Sequence, residues 1–596
     1  MHDLIEDMGK NIVKMQKDSS RILNVEDFED MMMNNMGTRK IESIWLTYSE
    51  KLCFSKEAMK NMQKLRILCI WRDPWNFPSD SEDGSMEYLP NNLRWFVWHQ
   101  YPWKLLPENF NPRRLVHLDL RWNSLHHLWN ETKQFLSLRR IDLRDSNSLK
   151  RTPDFKGMPN LEYLNLQNCT SLEEVHHSLK YCRNLMQLNL SFCTKLERFP
   201  YVNAESLESL NLRSCSSLEK FPEIHGRMKQ GTAIKIMTSH TRITELPLSF
   251  LDLQPHLTEL HLDGMTNLVS LPSSICKLKG LVKLDVSYCS KLKSLPEEIG
   301  DLENLEKLDS SYTLISRPPS SIVRLNKLKL LNFRKRKAED RVNFVLTQLP
   351  EDIGSLSSLK YLYLNGNNFE HLPHSISKLG ALQSLNLSDC KRLTQLPEFP
   401  QKLDTIDADW SNDSFCNSLF QNISSLQHAI CSSDSLSLRV FGSWVEDIPS
   451  WFKYQGMCPS VSVDLPENWY DKFLGFAVCY YDKYYIDCIR AHLIPSCDDG
   501  MSSMTQQFAL SNKSELDDDD VCNINFLLVP LCGLWDASNA NEITPNGYGR
   551  IKLDFIGHVD DFGETDDDFG ETDDDFGETD DAFGEKMKFG VRLLSK

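Results

Sequence analysis

One unit of about 23 residues is restated twelve times between Leu115 and Leu403, and nothing else in the 596-residue chain restricts its fold as strongly. LVHLDLRWNSLHHLW at 115, LRRIDLRDSNSLKRTP at 138, LEYLNLQNCTSLEEV at 161, LMQLNLSFCTKLERFP at 185 and LESLNLRSCSSLEKFP at 207 open the series. A looser copy begins at Ile234, and the regular form resumes at Leu257, Leu281, Leu305, Leu328, Leu359 and Leu382. Chance does not hold several leucines in phase over so many steps.

The core L-x-x-L-x-L-x-x-N/C-x-L is that of the leucine-rich repeat. Alternate residues of L-x-L point to opposite faces, so each unit begins with a short strand whose leucines point inward. A single unit buries some five apolar side chains, at about 1.5–3 kcal/mol each, against about 1–2 kcal/mol of backbone entropy per residue. One unit alone therefore does not fold, whereas a stack in which each covers the next can. The expected architecture is an α/β solenoid, or horseshoe, with parallel strands lining one concave sheet. Cys169, Cys193, Cys215, Cys289 and Cys390 occupy the N/C position of their repeats. They are expected to pack there as small buried hydrophobes.

The net charge of −18 misleads, because fourteen Asp or Glu and no Lys or Arg lie within 560–585. The remainder, near −4, implies neither nucleic acid nor an acidic membrane as partner. The chain has 17 cysteines, an odd number spread along the repeats. It shows no N-terminal apolar segment of signal-peptide type and no apolar run of about 18 residues. A reducing, cytoplasmic compartment is expected. RKRKAEDR at 334–341 reads as a solvated insertion loop with Glu339 and Asp340 as compensating charges. Its alternative reading is a nuclear-localisation or phosphate-binding patch, and the first of these makes the nucleus the second compartment.

Five segments are expected in order. Residues 1–40 are helical: Met1, Leu4, Ile5, Met8, Ile12 and Met15 make one stripe over 1–17, and Asn24 caps a second helix. Residues 41–410 are the repeats, entered irregularly through IESIWLTYSEKLCF and LRILCIW. FCNSLFQNISSLQHAI at 415–430 suits a helix. Otherwise 411–559 alternates short strands with Pro, Gly and Trp turns, the pattern of an all-β sandwich. Residues 560–585 repeat DDFGETD and are expected to be a disordered insertion. Residues 586–596 supply the sandwich's last strand.

Motifs outside the leucine pattern are more specific. MHDLIEDMG at 1–9, LPNNLRWFVWHQYPWKLLPENF at 89–110, LVHLDLRWNSLHHLW at 115–129 and RTPDFKGMPNLEY at 151–163 closely resemble plant intracellular disease-resistance receptors of the TIR–nucleotide-binding–leucine-rich-repeat class. IPSWF, LPENWY and KFLGFAVC resemble the jelly-roll domain that follows the repeats in those receptors. The resemblance implies that Met1, His2 and Asp3 match the MHD motif, whose His contacts bound ADP in the family. No G-x-x-x-x-G-K-[ST] phosphate loop occurs in the chain, and without one a His–Asp pair holds no nucleotide. ADP or ATP is therefore expected only with an attached nucleotide-binding domain, and the segment before Met1 is expected to carry it.

No G-x-S-x-G, H-E-x-x-H or paired C-x-x-C occurs, so no enzymatic activity and no metal are expected. Recognition is left to side chains on the outward strand positions: Arg121, Trp122, Arg140, Arg144, Tyr163, Phe192, Lys283, Tyr288, Lys307, Tyr312, Arg334, Tyr361 and Tyr363. Arg and aromatics carry most interface energy. Trp451 and Trp469 are candidate anchors in the sandwich, with a core role as the competing reading. The resemblance implies two partners, a pathogen effector and the receptor's own nucleotide-binding domain. A freestanding scaffold or decoy that binds a host protein is the alternative.

Overall fold

The computed structural model describes residues 20–34, 38–48, 52, 54–72, 86–199, 201–229, 231–246, 256–335, 345–400, 402–403, 405–408, 438–443, 452–456, 460–482, 485–496, 503–509, 523–530, 545–558 and 589–595. Outside them lie the expected helices at 1–17 and 415–430, Met1, His2, Asp3, Trp451, most of the basic insertion and the acidic tract. The chain divides into two compact units, Met1–Lys307 and Leu308–Lys596.

The first unit opens with the helix Val25–Asn34, which buries Phe28, Met31 and Met32. Asn24 caps it: its Oδ1 accepts the N–H of Asp27 at 2.7 Å, satisfying one of the donors a helix start leaves open. The strand ladder begins earlier than the leucine spacing suggests. Arg21–Ile22 already pairs in parallel with Ser43–Ile44, ahead of the expected start at residue 41. Parallel pairing then runs through Ser43–Tyr48, Ile67–Arg72, Trp95–Trp98, His117–Asp119, Arg140–Asp142, Tyr163–Asn165, Gln187–Asn189, Ser209–Asn211, Ile234–Met237, Leu257–His261 and Lys283–Asp285. Its register stacks Leu118, Ile141, Leu164, Leu188 and Leu210 side by side, each 1% exposed or less.

Three side-chain devices turn the chain out of each strand. The Asn or Asp just after the central leucine accepts the backbone N–H two residues on, as Asp142 does from Arg144, Asn165 from Gln167, Asn189 from Ser191 and Asp285 from Ser287. The residue after that N–H takes a left-handed backbone: Trp122, Asp145, Asn168, Phe192, Ser214, His240 and Tyr288 all have φ between 56° and 63°. Its own N–H continues the ladder, as from Asn168 to the carbonyl of Ser191 and from Phe192 to that of Arg213. Beneath the turn, the thiols of Cys169, Cys193, Cys215 and Cys289 donate to the carbonyls of Leu143, Leu166, Leu190 and Leu262, at 3.1–3.2 Å. The cysteines are thus buried donors as well as small apolar fillers, a role the leucine pattern did not disclose.

In the second unit, Leu330–Asn332, Tyr361–Tyr363, Ser384–Leu387 and Thr405–Ala408 continue the parallel pattern. Short 3₁₀ turns such as Ser320–Arg324 and His374–Lys378 return the chain. Thr405–Asp407 then pairs in parallel with the strand Leu438–Ser443, so one ladder passes from the last repeat into an antiparallel sheet. That sheet runs Leu438–Ser443, Asn523–Pro530, Phe473–Asp482, Phe589–Ser595 and Tyr454–Gly456. A second antiparallel sheet runs Ser460–Asp464, Tyr548–His558, Tyr485–Pro495 and Met504–Ala509. Phe476, Val478, Phe589 and Val591 from the first sheet share a core with Ile489, Leu493, Ile551 and Leu553 from the second.

Candidate binding surface of the repeat strands

The residue before each central leucine faces away from the core. In the first unit this row reads Trp95, His117, Arg140, Tyr163, Gln187, Ser209, Lys235, Glu259 and Lys283. The structure therefore sets Arg140 beside Tyr163, with the guanidinium carbon 3.8 Å from the ring centroid, a cation–π contact. Burial raises the Tyr163 phenol, and the nearby Asp142 carboxylate adds to the effect. Lys283 lies in the same row, half-buried; Lys307 is exposed.

The candidates do not all lie on strands. Arg140, Tyr163, Lys283, Lys307, Tyr361 and Tyr363 do, but Arg121, Arg144 and Arg334 stand two residues past the strand's last residue, in the turn. Trp122, Phe192, Tyr288 and Tyr312 occupy the left-handed turn position itself. The reason is the length of the strand, three residues in most repeats, which the Asn/Asp turn then ends. Phe192 and Tyr288 are 42% and 43% exposed there. Tyr361 is exposed as well, whereas Tyr363 is buried, contrary to expectation, at the position after the central leucine where Asp142, Asn165 and Asn332 are buried too. Arg334 lies 5.5 Å from the ring centre of Tyr312.

Arg121 is committed internally. Its Nε and Nη2 hold both oxygens of Asp119 at 2.6–3.0 Å, and the ion pair is largely covered. Burial by itself would raise Asp119, but the Arg121 guanidinium bonded to it and the His99 ring 3.6 Å away hold its carboxyl well below the usual carboxylate range. Asp142 moves the other way: burial and the Asp119 charge raise it. The Nε of Arg144 is buried and has no hydrogen-bond partner among the described residues.

An aromatic chain that the repeat pattern does not reveal leads into this region. Trp45 stacks on Trp71 at 6.1 Å, Trp71 meets His99 at 4.9 Å, and His99 meets Trp122 edge-on at 5.2 Å. Trp95 stacks on His117 at 4.3 Å. Only the strand register brings these rings together, since they lie more than twenty residues apart in sequence. Trp469 is a core residue and not an anchor: it is 1% exposed, and its Nε1 donates to the carbonyl of Tyr548 at 2.9 Å. A buried indole needs that partner. Among the described residues no helix is long and apolar enough to cross a membrane.

Known proteins match this arrangement in both its parts. A C-JID domain model matches residues 443–596, and leucine-rich-repeat models match 343–391 and 381–403. TMV resistance protein N of Nicotiana glutinosa is 52% identical over 94% of the chain, which covers 53% of that protein. Disease resistance-like protein DSC1 of Arabidopsis thaliana is 30% identical over 80% of the chain and is covered to 46%. Disease resistance protein RPS6 of the same plant is 30% identical over 66% of the chain and is covered to 36%. The chain thus spans about half the length of the curated relatives it matches, or less.

Proposed function

We propose that this chain, which belongs to the plant disease resistance proteins of the TIR–nucleotide-binding–leucine-rich-repeat type, is the recognition part of such a receptor and binds a pathogen effector protein through the outward side of its repeat strands and turns. One observation carries this reading. The left-handed turn position favours Asn, Asp or Gly, and many repeats use them: Asp145, Asn168, Gly264, Gly366 and Asp389. Trp122, Phe192, Tyr288 and Tyr312 occupy it instead, at positive φ and with exposed or half-buried rings. A bulky residue there costs conformational energy, and exposing it returns no core packing. Binding energy from an aromatic anchor offsets both.

Within a receptor, the same surface also contacts the nucleotide-binding domain, so that effector and nucleotide-binding domain compete for it. The reading gives the chain itself no catalytic step and no cofactor; ADP or ATP belongs to the nucleotide-binding domain. It places the protein in the cytoplasm, with the nucleus as the second compartment.

The test is a screen of pathogen effector proteins against the full chain, followed by titration calorimetry on any hit. Substituting Tyr163→Ala, Phe192→Asn and Tyr288→Asn together is expected to weaken a genuine effector more than about tenfold, since each aromatic anchor contributes on the order of 1–2 kcal/mol. Undiminished affinity in a folded triple variant overturns the assignment of the surface.

A further inference from the structure

Three ligand-type side chains converge where two neighbouring repeats meet in the first unit. One ligand atom each from His261, Asp263 and Asp285 lies within 4.8 Å of the others, and all three residues are half-buried. We propose that they form a binding site for a zinc-type divalent cation on the outward side of the repeat sheet.

The local fold builds the site residue by residue. His261 and Asp285 are register partners on adjacent strands, and the His261 Nδ1 faces the Asp285 Oδ2 at 4.0 Å. The other nitrogen of the same ring, Nε2, is 3.4 Å from the Glu259 Oε2, and Glu259 is itself held by Lys235 at 2.5 Å. A carboxylate on the far nitrogen is the arrangement that fixes a metal-binding imidazole's tautomer and orientation. It leaves Nδ1 as the lone-pair nitrogen, turned toward the two aspartates. Each aspartate is positioned by its other oxygen: Oδ1 of Asp285 accepts from the backbone and hydroxyl of Ser287, and Oδ1 of Asp263 accepts from the Ser239 hydroxyl.

The surroundings make room in the same way. Asp263 is followed by Gly264, where a Cβ would fall 2.1 Å from the Nδ1 of His240. The bare glycine lets the His240 ring lie with Nε2 3.8 Å from the Asp263 Oδ2, close enough to add a second imidazole at the margin. Ligands about 2.0–2.1 Å from a tetrahedral ion stand about 3.4 Å apart, so the three need close by about 1.4 Å at most. One nitrogen and two carboxylates match the donor sets that zinc and neighbouring first-row ions accept, and they leave a coordination position open to solvent. That position would take water or a donor from a docked macromolecule.

The full chain is equilibrated with ZnCl₂, passed over a desalting column and assayed for metal content, beside His261→Gln and Asp263→Asn variants checked by circular dichroism. Wild type is expected to retain one more zinc per chain than either variant, and Mg²⁺ is expected not to displace it. Co²⁺ loaded in place of zinc is expected to give visible d–d absorption that is lost in the variants. Equal zinc content in wild type and in whichever variant folds, with no variant-sensitive Co²⁺ band, overturns the site and leaves the cluster as an ion-paired histidine.

Discussion

The thiol of Cys193 donates to the carbonyl of Leu166 at 3.1 Å, reaching 27 residues back into the preceding repeat. Ser146 makes the equivalent bond to Leu120, and Asn367 makes it to Phe333. What the repeats share at this position is therefore a hydrogen-bond donor rather than a thiol. Cys193→Ser keeps the donor, whereas Cys193→Val removes it and leaves the Leu166 carbonyl with the backbone N–H of Cys169 alone. The valine variant is expected to lose about 0.5–1.5 kcal/mol and the serine variant less, read as urea midpoints.

The same burial pushes the thiols of Cys169, Cys215 and Cys289 up to about 12. At pH 8 they carry almost no thiolate, the reactive form. In the native chain they are expected to stay unlabelled by a disulfide reagent under conditions that label them rapidly in urea. Mass spectrometry of labelled peptides reads the difference.

Asp119 and Arg121 make a pH-dependent prediction. Because the folded carboxyl lies below its unfolded value, the pair stabilises the protein above about pH 4 and loses that contribution as pH falls toward the folded value. Arg121→Met strands a buried carboxylate and is expected to cost about 3–5 kcal/mol at pH 7. The gap to wild type should narrow below about pH 4. Adding Asp119→Asn to the variant should recover part of the loss at neutral pH. Thermal melts of the three proteins at pH 3.5 and pH 7 decide it.

The leucines were legible because burial and period coincide: Leu118, Leu164, Leu188 and Leu284 all sit in the core the pattern assigns them. The final strand, expected over 586–596 from its resemblance to the end of such a sandwich, runs Phe589–Ser595 and pairs with Phe473–Tyr480. The end of each repeat strand was not legible. Trp122 and Phe192 look like strand residues in a string, and only the Asx turn before them moves them onto the bend. Nor can a string show that Trp45, Trp71, His99 and Trp122 meet, because that depends on inter-repeat register. Trp469 shows the limit of residue type alone: a tryptophan after a turn reads equally as anchor or core, and burial alone separates the two.

Gly354 lies in a 3₁₀ turn, Ile353–Ser355, pressed against the next repeat. A Cβ there would fall 2.0 Å from the Ser375 carbonyl oxygen, which is backbone and cannot rotate aside. At Gly380 a Cβ would meet nothing within 4 Å among the described residues. Gly354→Ala is expected to destabilise by about 1–3 kcal/mol, as overpacking does, and Gly380→Ala to change little. Midpoints of urea denaturation compare them.

Lys335 is buried, with its ammonium donating to the Thr313 carbonyl at 2.7 Å. Burial pushes it down to about 7. Between that value and its unfolded value of 10.5 the unfolded chain binds more protons, so stability rises with pH across this window. Below pH 7 both states are charged and the whole cost of burying the charge is present. Lys335→Met is expected to raise stability at pH 6, on the order of 1–3 kcal/mol, and to flatten the rise between pH 7 and pH 10. An unchanged slope in the variant would assign that rise to other groups.

The aromatic turn residues predict opposite signs for stability and binding. Phe192 has φ 63° and Tyr288 φ 57°, and both residues are exposed on the turn. Asn168 shows what the position accepts when packing alone decides: an amide that tolerates the left-handed backbone and donates to Asp145 at 2.8 Å. Phe192→Asn and Tyr288→Asn are therefore expected to raise stability by about 0.5–1 kcal/mol each, relieving backbone strain, while weakening effector binding. A residue kept for packing would lose stability on the same substitution, so thermal melts and titration calorimetry on one preparation separate the two roles. If both variants melt lower than wild type and bind as well, the rings serve the fold, and the recognition surface must lie elsewhere on the strands.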